Sequence, residues 1–251
     1  MLASGGIDSE VVLQSFVFAN IPVTAAILRF SDGSNFHDIR YAIRFCETYQ
    51  VPYRLLSLDI ETFLANDALA YAERTQCVHA MLLATMWAMD QVDGFPILGS
   101  GECYLVRGGT DRATRGLPDH VWGMHEKERI ASWFRHLVAT RRDGCAGFFQ
   151  YTAECILAFL VDPEVATLCT GRGDPAVTNT ATVKHELYRS HFLLEPRPKY
   201  HGYENVMHAV TPLAMELQRR YHQHDAIACT PYQELLVQLA PPATDHRCHV
   251  E

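Results

Sequence analysis

Ser4-Gly5-Gly6-Ile7-Asp8-Ser9 is the stretch that says most about the fold of this 251-residue chain. Gly5 and Gly6 let the main chain approach an anion without a Cβ in the way. An apolar helical stretch follows, and the unpaired N–H groups at the start of a helix attract phosphate. The stretch therefore predicts a phosphate-binding turn between a strand and a helix.

The segments after this turn alternate between helix and strand. The apolar patterns predict helices over 10–19, 35–49 and 77–91, and strands over 21–30, 53–59 and 95–98. Such a β-α-β-α-β rhythm predicts an α/β fold with a doubly wound, mainly parallel, Rossmann-like sheet. We assign residues 1–124 to this nucleotide-binding domain.

The second half of the chain has a helical pattern. The predicted helices cover 126–140, 151–160, 163–168, 181–191, 207–221 and 231–239. We expect residues 125–239 to form a mostly helical region packed on the sheet within the same structural unit, and 240–251 to be a loose tail. Segment 105–124 is polar and contains glycine. We interpret it as a lid that orders on substrate binding, since loops of this length are usually functional or disordered.

A second glycine-rich turn, Gly99-Ser100-Gly101-Glu102, follows the predicted strand over 95–98. In an open parallel sheet, ligands bind outside the carboxyl ends of the strands, where the strand order reverses. We therefore expect the two glycine-rich turns to converge on one crevice.

The first turn matches the Ser-Gly-Gly-x-Asp-Ser signature of the PP-loop, or N-type, ATP pyrophosphatases. The chain thus resembles this superfamily of adenine nucleotide alpha-hydrolase-like proteins, whose fold is of the HUP type. The resemblance implies ATP as the cofactor, with its pyrophosphate in the first turn and its adenine beside the strand around Leu28. The implied ATP-binding residues are Ser4, Gly5, Gly6, Asp8, Ser9, Leu28, Gly99 and Gly101. A carboxylate beside a triphosphate is repulsive without a metal, so Asp8 implies Mg²⁺.

The second turn resembles, in part, the Gly-Glu-Gly-x-Asp-Glu segment of asparagine synthetases, in their synthetase domain only. In those enzymes the segment closes over the activated carboxylate. The doubled acid is missing here, because Cys103 and Tyr104 follow Glu102. Glu102 is predicted to bind Mg²⁺ with Asp8 or to fix a substrate amine, and a solvated acid in a tight turn is the alternative.

Adenylation builds negative charge on phosphorus and on the departing pyrophosphate, so it requires cations aimed at those oxygens. The candidate cations are Arg107, Arg115, Lys184, Arg197 and Lys199. Lys184 is the first choice, and a plain surface charge is the alternative for each. Arg74 is a further candidate for a phosphate or substrate contact, and His185 for a general base. The predicted catalytic residues are Asp8, Lys184, Glu102 and Arg107.

Composition narrows the classes of protein. The net charge of −8 argues against a broadly basic nucleic-acid surface, although a local patch stays open. No apolar run reaches the ~20 residues of a membrane span, and no signal peptide is evident, so the cytoplasm is the expected location. The 8 cysteines are scattered without a Cys-x-x-Cys pair, which favours free, mostly buried thiols.

These features predict an AMP-forming ligase of the amidotransferase-like kind. ATP would activate a carboxylate or amide oxygen of a small-molecule or nucleobase-type acceptor, and ammonia or an amine would then displace AMP. The alternatives are a thiolation-type enzyme acting on tRNA or nucleobases, a sulfonucleotide reductase-like protein, and a non-catalytic ATP-binding module. A homodimer or a separate nitrogen donor is compatible with this prediction. Only three residues precede the first turn, so we expect an unusually short first strand, or a native strand or upstream domain outside this sequence.

Overall fold

The computed structural model describes residues 1–101, 104–107, 121–123, 127–170, 179–180, 184–198, 201–221 and 229–240. The helices are α1 (Ile7–Phe18), α2 (Phe36–Thr48), α3 (Ile60–Asn66), α4 (Ala68–Thr75), α5 (Ala80–Asp90), α6 (Lys127–Thr140), α7 (Ala153–Leu160), α8 (Pro163–Cys169), α9 (Lys184–Arg189), α10 (Met207–Tyr221) and α11 (Tyr232–Leu239). The strands are β1 (Ala25–Phe30), β2 (Tyr53–Leu58), β3 (Leu105–Val106), β4 (Val121–Gly123) and β5 (Cys229–Pro231). Short 3₁₀ helices cover Phe148–Gln150 and Tyr203–Val206.

β1 and β2 form a parallel pair in which Ala25 faces Tyr53 and Phe30 faces Leu58. Extended residues continue this pairing on the other side of β1. Leu2 bridges both Ala26 and Leu98 in parallel, and Ile97 bridges Cys145 in parallel. The mixed α/β class predicted from the sequence is confirmed.

The doubly wound sheet is not confirmed, because the described residues contain a parallel sheet of two strands only. The predicted strand over 95–98 appears as isolated bridges at Ile97 and Leu98. The extended stretches at 1–3, beside β1, and at 96–98, beside 1–3, form single bridges and no longer ladder.

β1 is at the centre of the packing. Ala25, Ala26, Ile27 and Phe30 are all buried, which accounts for the nearly continuous apolar run in this strand. α1 is apolar on most sides, and Val11, Val12 and Leu13 are each at most 2% exposed. Both elements are therefore covered on several faces by the rest of the chain.

The C-terminal half shares a core with the N-terminal half. One apolar cluster joins Phe30 and Leu58 of the parallel pair to Val206, Val210 and Leu217 near and within α10. Among the residues that the structure describes, no helix is long and apolar enough to cross a membrane. Five described cysteines are free, namely Cys46, Cys77, Cys145, Cys155 and Cys169.

Two features differ from the sequence predictions. α3 and α4 fill residues 60–75, for which no element was predicted. β3 and β4 lie within the predicted lid, where they pair antiparallel with each other, and β4 pairs antiparallel with β5. These strands show order at both ends of the segment but do not test whether it closes over a substrate, and residues 108–120 lie outside the described residues.

Asn35 fixes the turn that joins β1 to α2. Its buried side chain accepts a hydrogen bond from Phe30 N (2.9 Å) and donates one to Leu28 O (2.9 Å). Gly202, with φ of +83°, lies against it so closely that a Cβ there would be 2.4 Å from Asn35 Cβ. The end of β1 is thus bonded to one side chain and covered by the C-terminal half.

Asn35→Ala should lower the free energy of unfolding by about 2–4 kcal/mol, because it leaves one buried and one partly buried backbone group without their side-chain partner. Urea denaturation measures this loss. The matched control is Asn66→Ala, at an exposed residue that ends α3, which should change the free energy by less than about 0.5 kcal/mol. Equal losses in the two variants would contradict the role assigned to Asn35.

Candidate functional site

The first loop, residues 4–9, connects extended residues 1–3 to α1. Two hydroxyl groups close the loop, with Ser4 Oγ lying 3.0 Å from Ser9 Oγ. Ser4 Oγ accepts from Gly6 N at 3.2 Å, and Ser9 Oγ accepts from Ser4 N at 3.3 Å. Gly6 is the N-cap residue of α1, so it has no side chain with which to satisfy the first N–H groups of the helix.

Gly5 packs against the start of α2. A Cβ on Gly5 would lie 1.6 Å from the backbone oxygen of Asp38, a distance that no side chain tolerates. The Gly5 N–H also donates to Asp38 Oδ2 at 3.3 Å. Glycine is required here because two backbone segments meet.

Asp38 therefore places a carboxylate against an amide of the predicted phosphate turn. Burial raises the pKa of Asp38, while the Gly5 N–H and the nearby His201 and Arg197 act in the opposite direction. The Asp38 carboxylate thus lies where an amide of the loop could otherwise bind an anion. The sequence does not predict this contact.

Asp8, in the first turn of α1, forms an ion pair with Lys184, the first residue of α9. Lys184 Nζ lies 2.6 Å from Asp8 Oδ2, and both side chains are about one-quarter exposed (25% and 23%). The structure thus brings together two of the four predicted catalytic residues, 176 positions apart in the chain.

Arg197 lies behind the loop with a side chain that is only 5% exposed. Its guanidinium donates to Gly5 O at 2.7 Å and to Glu10 Oε2 at 2.5 Å, and it lies 4.3 Å from the centre of the Tyr41 ring. Burial raises the pKa of Glu10, and the charge and hydrogen bond of Arg197 oppose that shift. Arg197 therefore supports the loop through its carbonyl side.

The second glycine turn lies beside the first loop. A Cβ on Gly99 would be 2.8 Å from Ser9 Cα and 3.2 Å from Asp8 O. Gly101 has a φ of +95°, which favours glycine, and it packs near Ile130 of α6. The two turns therefore meet at the start of α1, whereas Glu102 lies outside the described residues.

Leu28, the residue assigned to adenine, is partly buried in β1. Its carbonyl already accepts the Asn35 amide described above, and the Phe30 N–H donates to the same side chain. Asn35 thus holds two backbone groups in the region that the resemblance assigns to the base.

The other candidate cations have different positions. Arg107 follows β3, next to the antiparallel sheet. Arg74 is in the last turn of α4, where it lies 4.7 Å from the centre of the Tyr71 ring and 3.8 Å from Asp90 Oδ2. These contacts are those of an arginine on the surface of a helix and favour that role over a contact to phosphate or substrate. Arg115, Lys199 and the side chain of His185 lie outside the described residues.

Sequence reasoning missed Asp38, Glu10 and Tyr41. Glu10 follows the motif directly, so its position in the sequence could have indicated that it lies near the loop. Asp38 and Tyr41 lie on one face of α2, three residues apart, but nothing local indicates that this face meets the loop.

Among the described ranges, no three His, Cys, Asp or Glu side chains form a group that could hold a metal ion. Comparisons with models of protein families, with curated proteins and with solved structures each found no match.

Gly5→Ala should reduce the free energy of unfolding by about 3 kcal/mol or more, the upper part of the range for overpacking, because its Cβ meets backbone atoms of Asp38. Gly6→Ala is the matched control. Its Cβ would meet only Ser4 Oγ, at 3.2 Å, and a side chain can rotate away, so we expect a loss of about 1 kcal/mol or less. Chemical denaturation of the two variants measures the difference, and a loss at Gly6 as large as that at Gly5 would refute it.

Asp38→Asn should become more stable relative to the unchanged protein as the pH rises. Because the folded-state pKa of Asp38 is raised, this carboxyl contributes most below its unfolded pKa, and the contribution is lost as the pH rises through the folded value. Asparagine removes that loss. Thermal unfolding at about pH 3 and about pH 7 measures the effect, with Asp93→Asn, at an exposed position, as the control. A difference that stays constant with pH would contradict the assignment.

Proposed function

We propose that this protein is an ATP pyrophosphatase of the PP-loop type. It adenylates a carboxylate or amide oxygen of an acceptor, and ammonia or an amine then displaces AMP. Pyrophosphate is the other product. The observation that carries the proposal is the ion pair of Asp8 and Lys184 at the start of α1. It lies next to a loop whose Gly5 and Gly6 amides are bonded to side chains that a phosphate could replace.

The order of the extended segments supports the nucleotide site. Across the parallel bridges and β1–β2, the segments follow one another as 53–58, 25–30, 1–3, 96–98 and 145. Numbered along the chain, this is the order 3-2-1-4-5 of doubly wound nucleotide-binding sheets. We propose that the bridges are the short strands of such a sheet. Its switch point then lies between 1–3 and 96–98, where the two glycine turns meet.

The position of Lys184 suits it to stabilise the negative charge that develops on the phosphates in the transition state. In the free protein its ammonium is bound by Asp8 at 2.6 Å. A nucleotide bound at the first loop would bring phosphate oxygens to the same point, and the ammonium could then stabilise the charge on phosphorus and pyrophosphate. Arg197 acts differently in this proposal, because it holds the loop through Gly5 O and Glu10.

Asp8 also fits a role in holding Mg²⁺. Protein sites for this ion commonly supply one or two carboxylates and leave the other ligand positions to water and substrate phosphates. Asp8, in the first turn of α1, supplies one such carboxylate beside the loop. When bound, Mg²⁺ would neutralise phosphate charge, and Asp8 would orient it.

A non-catalytic ATP-binding module is the second candidate. It is favoured by Asp38, whose carboxylate bonds to Gly5 N and must yield that amide before a phosphate can take it. The two candidates differ in turnover. An enzyme releases pyrophosphate with an acceptor present, whereas a module binds MgATP without release.

Lys184→Met should lower the rate of pyrophosphate release by about 100-fold, the usual effect of removing one positioned charge-stabilising group, with a smaller effect on MgATP affinity. The assay follows pyrophosphate release with MgATP, ammonium and a panel of carboxylic acids and amides, while calorimetry measures MgATP binding. Asp8→Asn should also reduce release.

The matched control is Arg189→Met, which removes an exposed positive charge from the other end of α9. Its rate should be within about twofold of the unchanged protein, since its charge is a turn and a half from Lys184. If Lys184→Met and Asp8→Asn both left release unchanged, the catalytic interpretation of the loop would be wrong. MgATP binding without release for any acceptor would favour the module.

A further inference from the structure

An apolar cavity of about 250 Å³ lies between α1, α7, α8, α9 and the 3₁₀ helix Phe148–Gln150. Five of its thirteen described lining residues are aromatic and form one group of rings. The aromatic lining residues are Phe148, Phe149, Phe159, Tyr188 and Phe192. The rings pack on one another, since Tyr188 stacks on Phe149 at 5.9 Å between centres and meets Phe159 edge-on at 6.4 Å.

Two of the helices that line the cavity, α1 and α9, also carry the ion pair at the first loop. On α1, the lining residues Val11 and Ser15 follow Asp8 by three and seven positions, so they share its face of the helix. Ser15 is then about 10 Å along the helix axis from Asp8, at a rise of about 1.5 Å per residue.

The same relation holds on the opposite wall. Tyr188 follows Lys184 by four positions in α9, and His191 follows by seven in the turn after it, where His191 N donates to Tyr188 O at 3.0 Å. Two helices thus carry the ion pair at one end and the cavity wall along their length. Helix periodicity therefore places the charged pair at the N-terminal end of these two walls.

The far end of the cavity has a fixed polar pair. Asp162 Oδ2 lies 2.6 Å from His191 Nε2, and both residues line the cavity. Asp162 Oδ1 accepts from Glu164 N at 2.9 Å as the N-cap of α8, so the carboxylate is held in place. A ligand with a polar edge would meet hydrogen-bonding groups there.

The size of the cavity limits the ligand. A dry engineered cavity of about 150 Å³ lined by apolar side chains binds benzene, so 250 Å³ is suited to a larger body of one or two rings. Flat aromatic walls favour a planar aromatic ligand through offset and edge-to-face contacts. The Lys184 ammonium at the near end complements a carboxylate.

We propose that this cavity binds the body of an aromatic carboxylic acid, with its carboxylate at the Asp8–Lys184 end. The role of the bound acid rests on the proposed function, because the acid would be the acceptor that ATP adenylates. The binding itself needs no ATP, and it can be tested separately.

The test uses indole-3-carboxylate as the aromatic probe and acetate as the carboxylate without a ring. Binding to the full chain is measured by calorimetry and saturation-transfer NMR in the absence of ATP. We expect indole-3-carboxylate to bind at least about tenfold more tightly than acetate, since ring burial adds well over the 1.4 kcal/mol that a tenfold change requires.

Two variants fill the cavity. Ala158→Trp places a ring at the cavity from an exposed position of α7, and Ser15→Phe does so from α1. Each should weaken indole-3-carboxylate binding at least about tenfold while leaving MgATP binding within about twofold, since neither residue contacts the loop. The matched control is Val237→Trp on α11, at a residue that is 77% exposed, which should bind the probe normally. Circular dichroism selects the folded variant if one of the two does not fold.

Each outcome decides the proposal. Equal affinity for acetate and indole-3-carboxylate, or unaltered probe binding by a folded filling variant, would overturn it. Tight binding that is lost on filling supports it. The probe could bind in this way while neither it nor related aromatic acids promote pyrophosphate release with MgATP and ammonium. That result would support the binding site and contradict the adenylation of its ligand. Release with small aliphatic acids only would support adenylation and overturn the aromatic acceptor.

Discussion

The first loop depends on the contacts that the Arg197 side chain makes. Its buried guanidinium is bonded to Gly5 O and Glu10 and faces the Tyr41 ring, so one side chain joins the loop, α1, α2 and the C-terminal half. A buried charge without its partner is strongly destabilising, which ties these four parts to one another. A trans peptide directs its C=O and N–H groups to opposite sides. Holding Gly5 O towards Arg197 therefore turns the Gly6 N–H away from it, towards the exposed Ser4 hydroxyl that now accepts it.

Close backbone contacts restrict the same region from other directions. Gly5 meets Asp38, Gly99 meets Ser9, and Gly202 meets Asn35, each at a distance that a Cβ would violate. The three glycines belong to three distant parts of the chain. Their contacts surround the ends of 1–3 and β1, so the loop is positioned by main chain that cannot shift without steric cost. A rigid frame of this kind suits a group that must present amides to an anion without reorganising.

Local signals predicted much of the secondary structure. Apolar periodicity indicated α1, α2, α5 and most helices of the second half, and Gly5-Gly6 before an apolar run indicated the turn. α3 and α4 were missed although their apolar residues recur at helical spacing, as Ile60, Phe63, Leu64, Ala68 and Ala72. That signal was present in the sequence and was not used.

The rest could not be derived from local patterns. β3, β4 and β5 are two or three residues long, so no alternation of apolar residues marks them. β4 also pairs with β5 across more than a hundred positions. Lys184 was chosen for its charge and its helical surroundings, and Asp8 for its motif. Their contact spans 176 positions and depends on how α9 packs. The positions of Arg197 and Asp38 depend equally on which helix faces meet. Charge alone made Arg197 a candidate cation, and its bonds to Gly5 O and Glu10 could not be read from the sequence.

The packing of α9 explains how the lysine reaches the loop. α9 has six residues, far fewer than a helix needs to be stable by itself in water. Its position must therefore come from tertiary contacts, and Leu187 and Tyr188 supply them, being 5% and 6% exposed. Tyr188 is held by the aromatic wall of the cavity, one turn from Lys184. The apolar cavity and the ion pair thus share α9, and aromatic packing on this helix determines where the Lys184 ammonium lies. Whatever occupies that space acts on the same helix that presents the cation to Asp8.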